Sequence, residues 1–201
     1  MKYLKLFEDW NTFEEYIDSI CSKYGITNYT INSDGSIDVD GNVDLAGSGL
    51  TKLPLKFGNV TGNFYCHNNQ LTTLEGSPKE VGGYFSCYNN QLTNLKGGPI
   101  EVGGYFNCYN NQLTTLEGSP KEVGGNFYCD NNKLTSLKGG PIKVGGGFDC
   151  RNNKLPKLIL DNMKHIKKIL EYQEDYLIWR SNGTLDEYRF NDMMEEIKME
   201  E

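Results

Sequence analysis

LTTLEGSPKEVGGYFSCYNNQ, residues 71–91, is one copy of a unit that the chain repeats with small changes on either side. Cys66, Cys87, Cys108, Cys129 and Cys150 recur every 21 residues. Phe64, Phe85, Phe106, Phe127 and Phe148 keep the same interval, as do Asn69, Asn90, Asn111, Asn132 and Asn153. Leu71 and Leu74 recur through Leu155 and Leu158, and Val81 recurs as Val102, Val123 and Val144. Such regularity is the signature of a stacked-repeat architecture. Phe-x-Cys is apolar at alternate positions, which predicts a short strand with both side chains on one face. Gly-Gly before it and Asn-Asn after it reach the backbone angles that turns need. Pro78, Pro99, Pro120 and Pro141 fix the return path and cannot sit in a central strand. A unit this short holds one strand, a tight turn and an extended or 3₁₀ return. It buries almost nothing alone, so units must stack. At ~4.8 Å per strand, the five Phe-x-Cys strands span about 20 Å.

Phe64-x-Cys66-x-x-Asn69-x-Leu71-x-x-Leu74 resembles the strand half of the leucine-rich repeat, L-x-L-x-x-N-x-L, in a short bacterial or bacteriophage form. The resemblance covers residues 43 to 158. It implies an α/β solenoid with a parallel β-sheet and an irregular convex side. It also implies that the Asn file turns inward to bond backbone groups of its own and neighbouring rungs. One departure is visible: the leading Leu falls on Gly82, Gly103, Gly124 and Gly145, with Val one residue earlier, so the chain should enter each strand differently.

The repeat decays at both ends. Val43 to Leu53 holds the register but puts Ser48 where Asn belongs, an atypical first rung. Ahead of it, Tyr29–Ile31 and Ile37–Val39 flank Ser33-Asp34-Gly35, a hairpin signal. Phe13, Tyr16, Ile17, Ile20, Cys21 and Tyr24 share one helical face, with Thr12 and Glu15 as a capping box and Gly25 as the stop. After Pro156, Asp161 opens a helix through about Tyr172 with Met163, Ile166, Ile169, Leu170 and Gln173 inward. Thr184 with Glu187 opens a second, carrying Tyr188, Phe190, Met193, Met194 and Ile197. The expected division is an N-terminal helix-plus-hairpin cap over 1–42, leucine-rich repeats over 43–158 and a C-terminal helical cap over 159–201.

The chain has 201 residues and a net charge of −7. Residues 1–60 carry 5 basic and 9 acidic groups, 61–155 carry 8 and 7, and 156–201 carry 7 and 11, so the acidity belongs to the caps. That balance speaks against binding nucleic acid by charge neutralisation. No apolar run is long enough to span a membrane. The opening Met1-Lys-Tyr-Leu-Lys-Leu-Phe-Glu8 is not a secretory signal, so a cytoplasmic location is expected and the three Asn-x-Thr triplets carry no weight.

Three outward columns flank Phe and Cys: Asn63, Tyr84, Tyr105, Asn126, Gly147; Tyr65, Ser86, Asn107, Tyr128, Asp149; and His67, Tyr88, Tyr109, Asp130, Arg151. Six tyrosines and a histidine thus fall on the face that would be concave, and tyrosine clusters are enriched at binding hot spots. The candidate partner-binding set is Tyr65, His67, Tyr84, Tyr88, Tyr105, Tyr109, Tyr128, Asp130, Asp149 and Arg151. The bland alternative is cross-strand stacking of tyrosines that simply favour exposed strands. The Cys file, with no His or second Cys per rung, fits core packing better than disulfides or a metal site. Glu75, Lys96, Glu117 and Lys138 alternate in charge along one file, which favours the correct register. His165, among Lys164, Lys167 and Lys168, is expected on a solvated helix face. No phosphate loop, metal helix or nucleophile elbow occurs, and no cofactor or metal is expected.

The expected function is a non-catalytic protein-protein interaction module. The near-identical units and the opening motif resemble proteins of large tailed bacteriophages, which would imply a host protein, such as a defence component, as partner in the host cytoplasm. Three readings compete with it. One is an internal structural phage protein, processed or packaged through Leu6-Phe-Glu8. Another is a nucleic-acid binder using the Tyr and Asn face. The last is an enzyme built on Asp130, Asp149 and Arg151. Partner identity and oligomeric state are open at this level.

Overall fold

The computed structural model describes residues 10–200, and the Met1–Glu8 opening lies outside them. The body is a β-solenoid of parallel strands with turns of about 21 residues, flanked by helices at both ends. Strands are numbered in chain order. The first sheet has six strands: β3 (Val43–Asp44), β5 (Phe64–Tyr65), β7 (Phe85–Ser86), β9 (Phe106–Asn107), β11 (Phe127–Tyr128) and β13 (Phe148–Asp149). All pair parallel and in register, Phe on Phe, from β5 to β13.

The return path is not the irregular segment expected of it. It carries a second strand in each turn: β4 (Phe57–Val60), β6 (Glu80–Val81), β8 (Glu101–Val102), β10 (Glu122–Val123) and β12 (Lys143–Val144). With the hairpin β1 (Tyr29–Ile31) and β2 (Ile37–Val39) these form a seven-stranded sheet. The reason is local. Each Glu-Val or Lys-Val pair alternates exposed and buried, a half-buried strand in miniature. The glycine that follows each of these valines then lets backbone lie on backbone. A Cβ on Gly103 would overlap the carbonyl oxygen of Gly82, and one on Gly124 would overlap that of Gly103. Gly103 N donates to Val81 O at 2.8 Å, and Gly104 N to Gly83 O at 2.9 Å.

Between the sheets lies the core. The Phe64–Phe85–Phe106–Phe127–Phe148 rings stack with centroids 5.1–5.4 Å apart. The five repeat cysteines and both leucine files run beside them, nearly all fully buried. Burial pushes the repeat thiols above their ordinary range, Cys150 to about 11. A neutral thiol of small volume is what a crowded file of identical side chains accepts.

Asparagine joins the rungs. Asn90 Nδ2 donates to Cys66 O in the rung before and to Cys87 O in its own, both at 3.0 Å, while its Oδ1 accepts from Leu71 N at 2.9 Å. Asn69, Asn111, Asn132 and Asn153 repeat the pattern. A buried amide costs free energy unless both ends are paired, and here both are. The outer asparagines Asn68, Asn89, Asn110, Asn131 and Asn152 all adopt positive φ, between 51° and 56°, which turns the chain out of the first sheet.

The caps depart from expectation in detail. Helix α1 runs from Trp10 to Tyr24, so Thr12 lies inside it rather than at its start. It ends as expected: Gly25 has φ 64°, Gly25 N donates to Ser22 O and Ile26 N to Cys21 O, a paired C-terminal closure. Phe13, Ile17 and Cys21 face the core, but Tyr16 is 41% exposed. At the other end, Asp161 closes α2 (Lys157–Asp161) instead of opening a longer helix. A 3₁₀ turn, Met163–His165, then leads into α3 (Ile166–Tyr172). That turn swings His165 away from its lysine neighbours, and it is buried, not solvated. Helix α4 (Glu187–Met199) is capped by Asp186, whose side chain accepts from Arg189 N, and not by Thr184. Phe190, Met193, Met194 and Ile197 are buried, while Tyr188 points outward.

The alternating file forms one ion pair among the described residues, Lys96–Glu117 at 3.0 Å. The second sheet does the opposite, stacking Glu80, Glu101 and Glu122 as direct neighbours before Lys143 closes the file at 3.5 Å from Glu122. Like charges there are destabilising, so the register is fixed elsewhere, by the asparagine and glycine files. Gly103→Ala should therefore destabilise the chain by about 1–3 kcal/mol, the usual penalty for overfilling a packed site. Gly147→Ala, where a Cβ meets only ordinary contacts, should be close to neutral. Urea denaturation of the two variants checks the difference.

Candidate functional site

The outward face of the six-stranded sheet carries every residue of the candidate set. The structure sorts them into two aromatic files and one ionic corner. Turn geometry after each Phe-x-Cys strand sets His67, Tyr88 and Tyr109 one above another. Their rings stack at 4.3 Å and 4.7 Å, within 15° of parallel. Tyr84 and Tyr105 form the second file, ring on ring at 4.7 Å and 8°. Spacings this small follow directly from the strand repeat of the sheet beneath.

Tyr65 meets His67 edge-on at 5.9 Å, and Tyr128 meets Tyr105 edge-on at 6.2 Å. The Tyr128 hydroxyl accepts from Asn126 Nδ2 at 2.6 Å. Tyr84 and Tyr105 stay 43% and 42% exposed, and the other four tyrosines are half-buried. The bland reading, that the tyrosines stack on their neighbours, is thus true of the geometry and leaves ring edges and hydroxyls facing outward.

The ionic corner lies at the last rung. Arg151 grips Asp149 bidentately, Nε to Oδ1 at 2.9 Å and Nη2 to Oδ2 at 2.6 Å, which holds the Asp149 carboxyl below its usual range. Asp130 binds the neighbouring Asn131 amide rather than joining that pair. Among the described residues Asp130 makes no hydrogen bond to that pair, though its charge adds to the field at Arg151. Among the described residues no group of three or more His, Cys, Asp or Glu converges as metal ligands would, and no helix is long and apolar enough to cross a membrane.

Several residues that shape this face stand in the sequence only as turn formers or column members, outside the candidate set. The second glycine of each Gly-Gly pair seats the side chain of the preceding rung, a tyrosine ring at Gly104 and Gly125 and an asparagine carboxamide at Gly83 and Gly146. A Cβ on Gly104 would overlap Tyr84, and one on Gly125 would overlap Tyr105. Asn63 and Asn126 close the Tyr84–Tyr105 file at its two ends, their Oδ1 atoms accepting from Tyr84 N at 2.7 Å and Gly147 N at 2.6 Å. Asn68, Asn89 and Asn110 build an amide ladder beside the His67 file, at 2.7 Å and 2.6 Å. The invariance of Gly-Gly beside a variable next residue was the available signal.

No family model, curated protein or solved structure matches the chain, so this face is read from its own geometry.

His67 is the one titratable group in the stack that changes charge near neutrality. Its pKa is held below 6.5, chiefly by burial against Tyr88, with Asp44 opposing, and its Nδ1 is buried without a partner. The folded chain therefore binds that proton less readily than the unfolded chain. The associated stability is complete above the unfolded value, about 6.5, and is lost as pH falls below it. Chemical denaturation at pH 7.5 and pH 5.5 should show a larger acid loss for the wild type than for His67→Phe. Equal losses would remove His67 as the cause.

Proposed function

We propose that this chain is a leucine-rich-repeat protein that docks a protein partner on its tyrosine face and performs no catalysis of its own. The observation that carries the reading is the pair of stacked files, His67–Tyr88–Tyr109 and Tyr84–Tyr105. Rings already fixed by their neighbours lose little freedom on binding, and rigid aromatic area with a polar tip is what binding hot spots use. The inward, backbone-bonded asparagine file supports the repeat type.

The same stacking weighs against the nucleic-acid reading. A base binds an aromatic residue through the ring face, and within each file those faces are spent on the next ring. What remains for a partner is edges and hydroxyls, the complement of backbone amides, carboxamides and aliphatic side chains. The repeat region, with 8 basic and 7 acidic groups over residues 61–155, adds little attraction for a polyanion. In this reading the chain is phage-encoded, acts in the host cytoplasm and blocks a host protein. That origin rests on the resemblance of the near-identical units and the Met1–Glu8 opening to phage proteins.

The test is affinity capture from host lysate, followed by rebinding of the identified protein in purified form. Tyr88→Ala with Tyr109→Ala should keep the fold, by circular dichroism and melting temperature, and weaken binding at least tenfold, whereas exposed Tyr16→Ala on α1 should not. Unchanged affinity in the double variant removes this face as the docking surface.

A further inference from the structure

The two sheets end differently. At the C-terminal end of the seven-stranded sheet, α3 packs against β12, and Lys167 Nζ donates to Gly145 O at 3.3 Å. At the other end, β1 adds an antiparallel strand to β2. Among the described residues, the six-stranded sheet gains no such strand or packed helix at either edge. Each of its strands hands three N–H groups to the carbonyls of the next rung. In β11 these are Phe127 N to Gly147 O and Cys129 N to Asp149 O, both 2.8 Å, with Asn131 N to Arg151 O at 3.0 Å beside them. In β13 and the turn after it the equivalent N–H groups of Phe148, Cys150 and Asn152 donate to no group among the described residues.

The side chains agree. Phe64, Phe85, Phe106 and Phe127 have no exposure, while Phe148 is half-buried. Ile159 and Ile166 are buried in the cap that follows, and Met163 reaches the edge, its sulfur 3.9 Å from that of Cys150. A cleft of about 400 Å³ lies there, lined by residues 147–151 and Met163 and reaching back over the outward face to Asn126 and Tyr128 of the rung before.

We propose that β13 accepts one extended segment of a partner protein as a seventh parallel strand. The rungs below define its chemistry. It offers three carbonyls, on alternate residues, to Phe148, Cys150 and Asn152, and turns a large apolar and then a small side chain inward, as Phe-x-Cys does in each regular turn. A second copy of this chain does not fit. Its β3 could meet β13 only if its second sheet met β12, which α3 covers, and that sheet is itself extended by β1. A lone strand meets neither obstacle. The inference does not rest on the two ring files, although the cleft takes in Asp149 and Arg151 of the same outward face.

The probe is the acetylated, amidated nonapeptide of residues 126–134 with alanine in place of Cys129, added to the full-length ¹⁵N-labelled chain. Solvent exchange of individual amides is read by NMR. The Phe148, Cys150 and Asn152 amides should exchange fast in the free chain and at least tenfold more slowly with saturating peptide, while the Cys129 amide stays protected throughout. The Tyr88→Ala, Tyr109→Ala variant should bind the peptide unchanged. Cys150→Pro, which deletes the central donor, should weaken binding at least tenfold; should it fail to fold, the exchange data on the unaltered chain decide. No slowing at millimolar peptide, equal slowing by a scrambled peptide, or loss of binding in the tyrosine variant would each overturn the proposal.

Discussion

A buried carboxamide that must satisfy both its ends is the joint on which this solenoid turns. Each inner asparagine donates to carbonyls of two rungs and accepts an amide proton from the residue after the preceding rung's asparagine turn. Only one relative position of successive turns lets all of those bonds form, and leaving one unmade costs about 1–3 kcal/mol. The Gly82, Gly103, Gly124 and Gly145 file enforces the same position by a different means, since any side chain there would strike the rung below. With register fixed from both sides, identity along the files follows. Phenylalanine must pack on phenylalanine, and a small thiol fits where a larger side chain would crowd its own copies. The chain even tolerates three glutamates side by side.

Strict register is also what builds the outer face. Side chains flanking Phe and Cys have no choice of neighbour, so tyrosines placed one unit apart become parallel stacks rather than scattered aromatics. Gly104 and Gly125, the second glycines of their pairs, complete this by clearing space for the rings of Tyr84 and Tyr105. Core and face are thus set by one periodicity. The same periodicity leaves an unfinished edge wherever the repeat stops, and among the described residues a helix or hairpin closes that edge on the second sheet.

Much of this was legible in the sequence because a 21-residue interval copies every local signal five times. The Phe-x-Cys strand, the hairpin around Gly35 and the helix stop at Gly25 follow from spacing and turn chemistry, and the inward asparagines from the resemblance of the repeat. The second sheet was not legible, because a two-residue Glu-Val strand is too short to show an alternating pattern and proline nearby argued for an irregular path. The caps show why local signals fail at ends. Thr12 and Thr184 stand in good capping sequences, yet the helices begin elsewhere, and a 3₁₀ turn that no pattern announces carries His165 inside. As for the face, the columns of tyrosines could be listed from the sequence. Their pairing into two files, and the separation of Asp130 from the Asp149–Arg151 pair, depended on ring and turn geometry that spacing does not encode.

The central claim is that the turns are interchangeable units held by register alone, and excising one tests it most directly. Removing residues 92–112 joins Gln91 to Leu113 and leaves every file in step, whereas removing 92–111 shifts all later turns by one residue. Thermal unfolding followed by circular dichroism should show the 21-residue deletion folded and cooperative with a modestly lower melting temperature, as nearest-neighbour stacking requires, and the 20-residue deletion unfolded or severely destabilised. Equal behaviour of the two deletions would contradict the account.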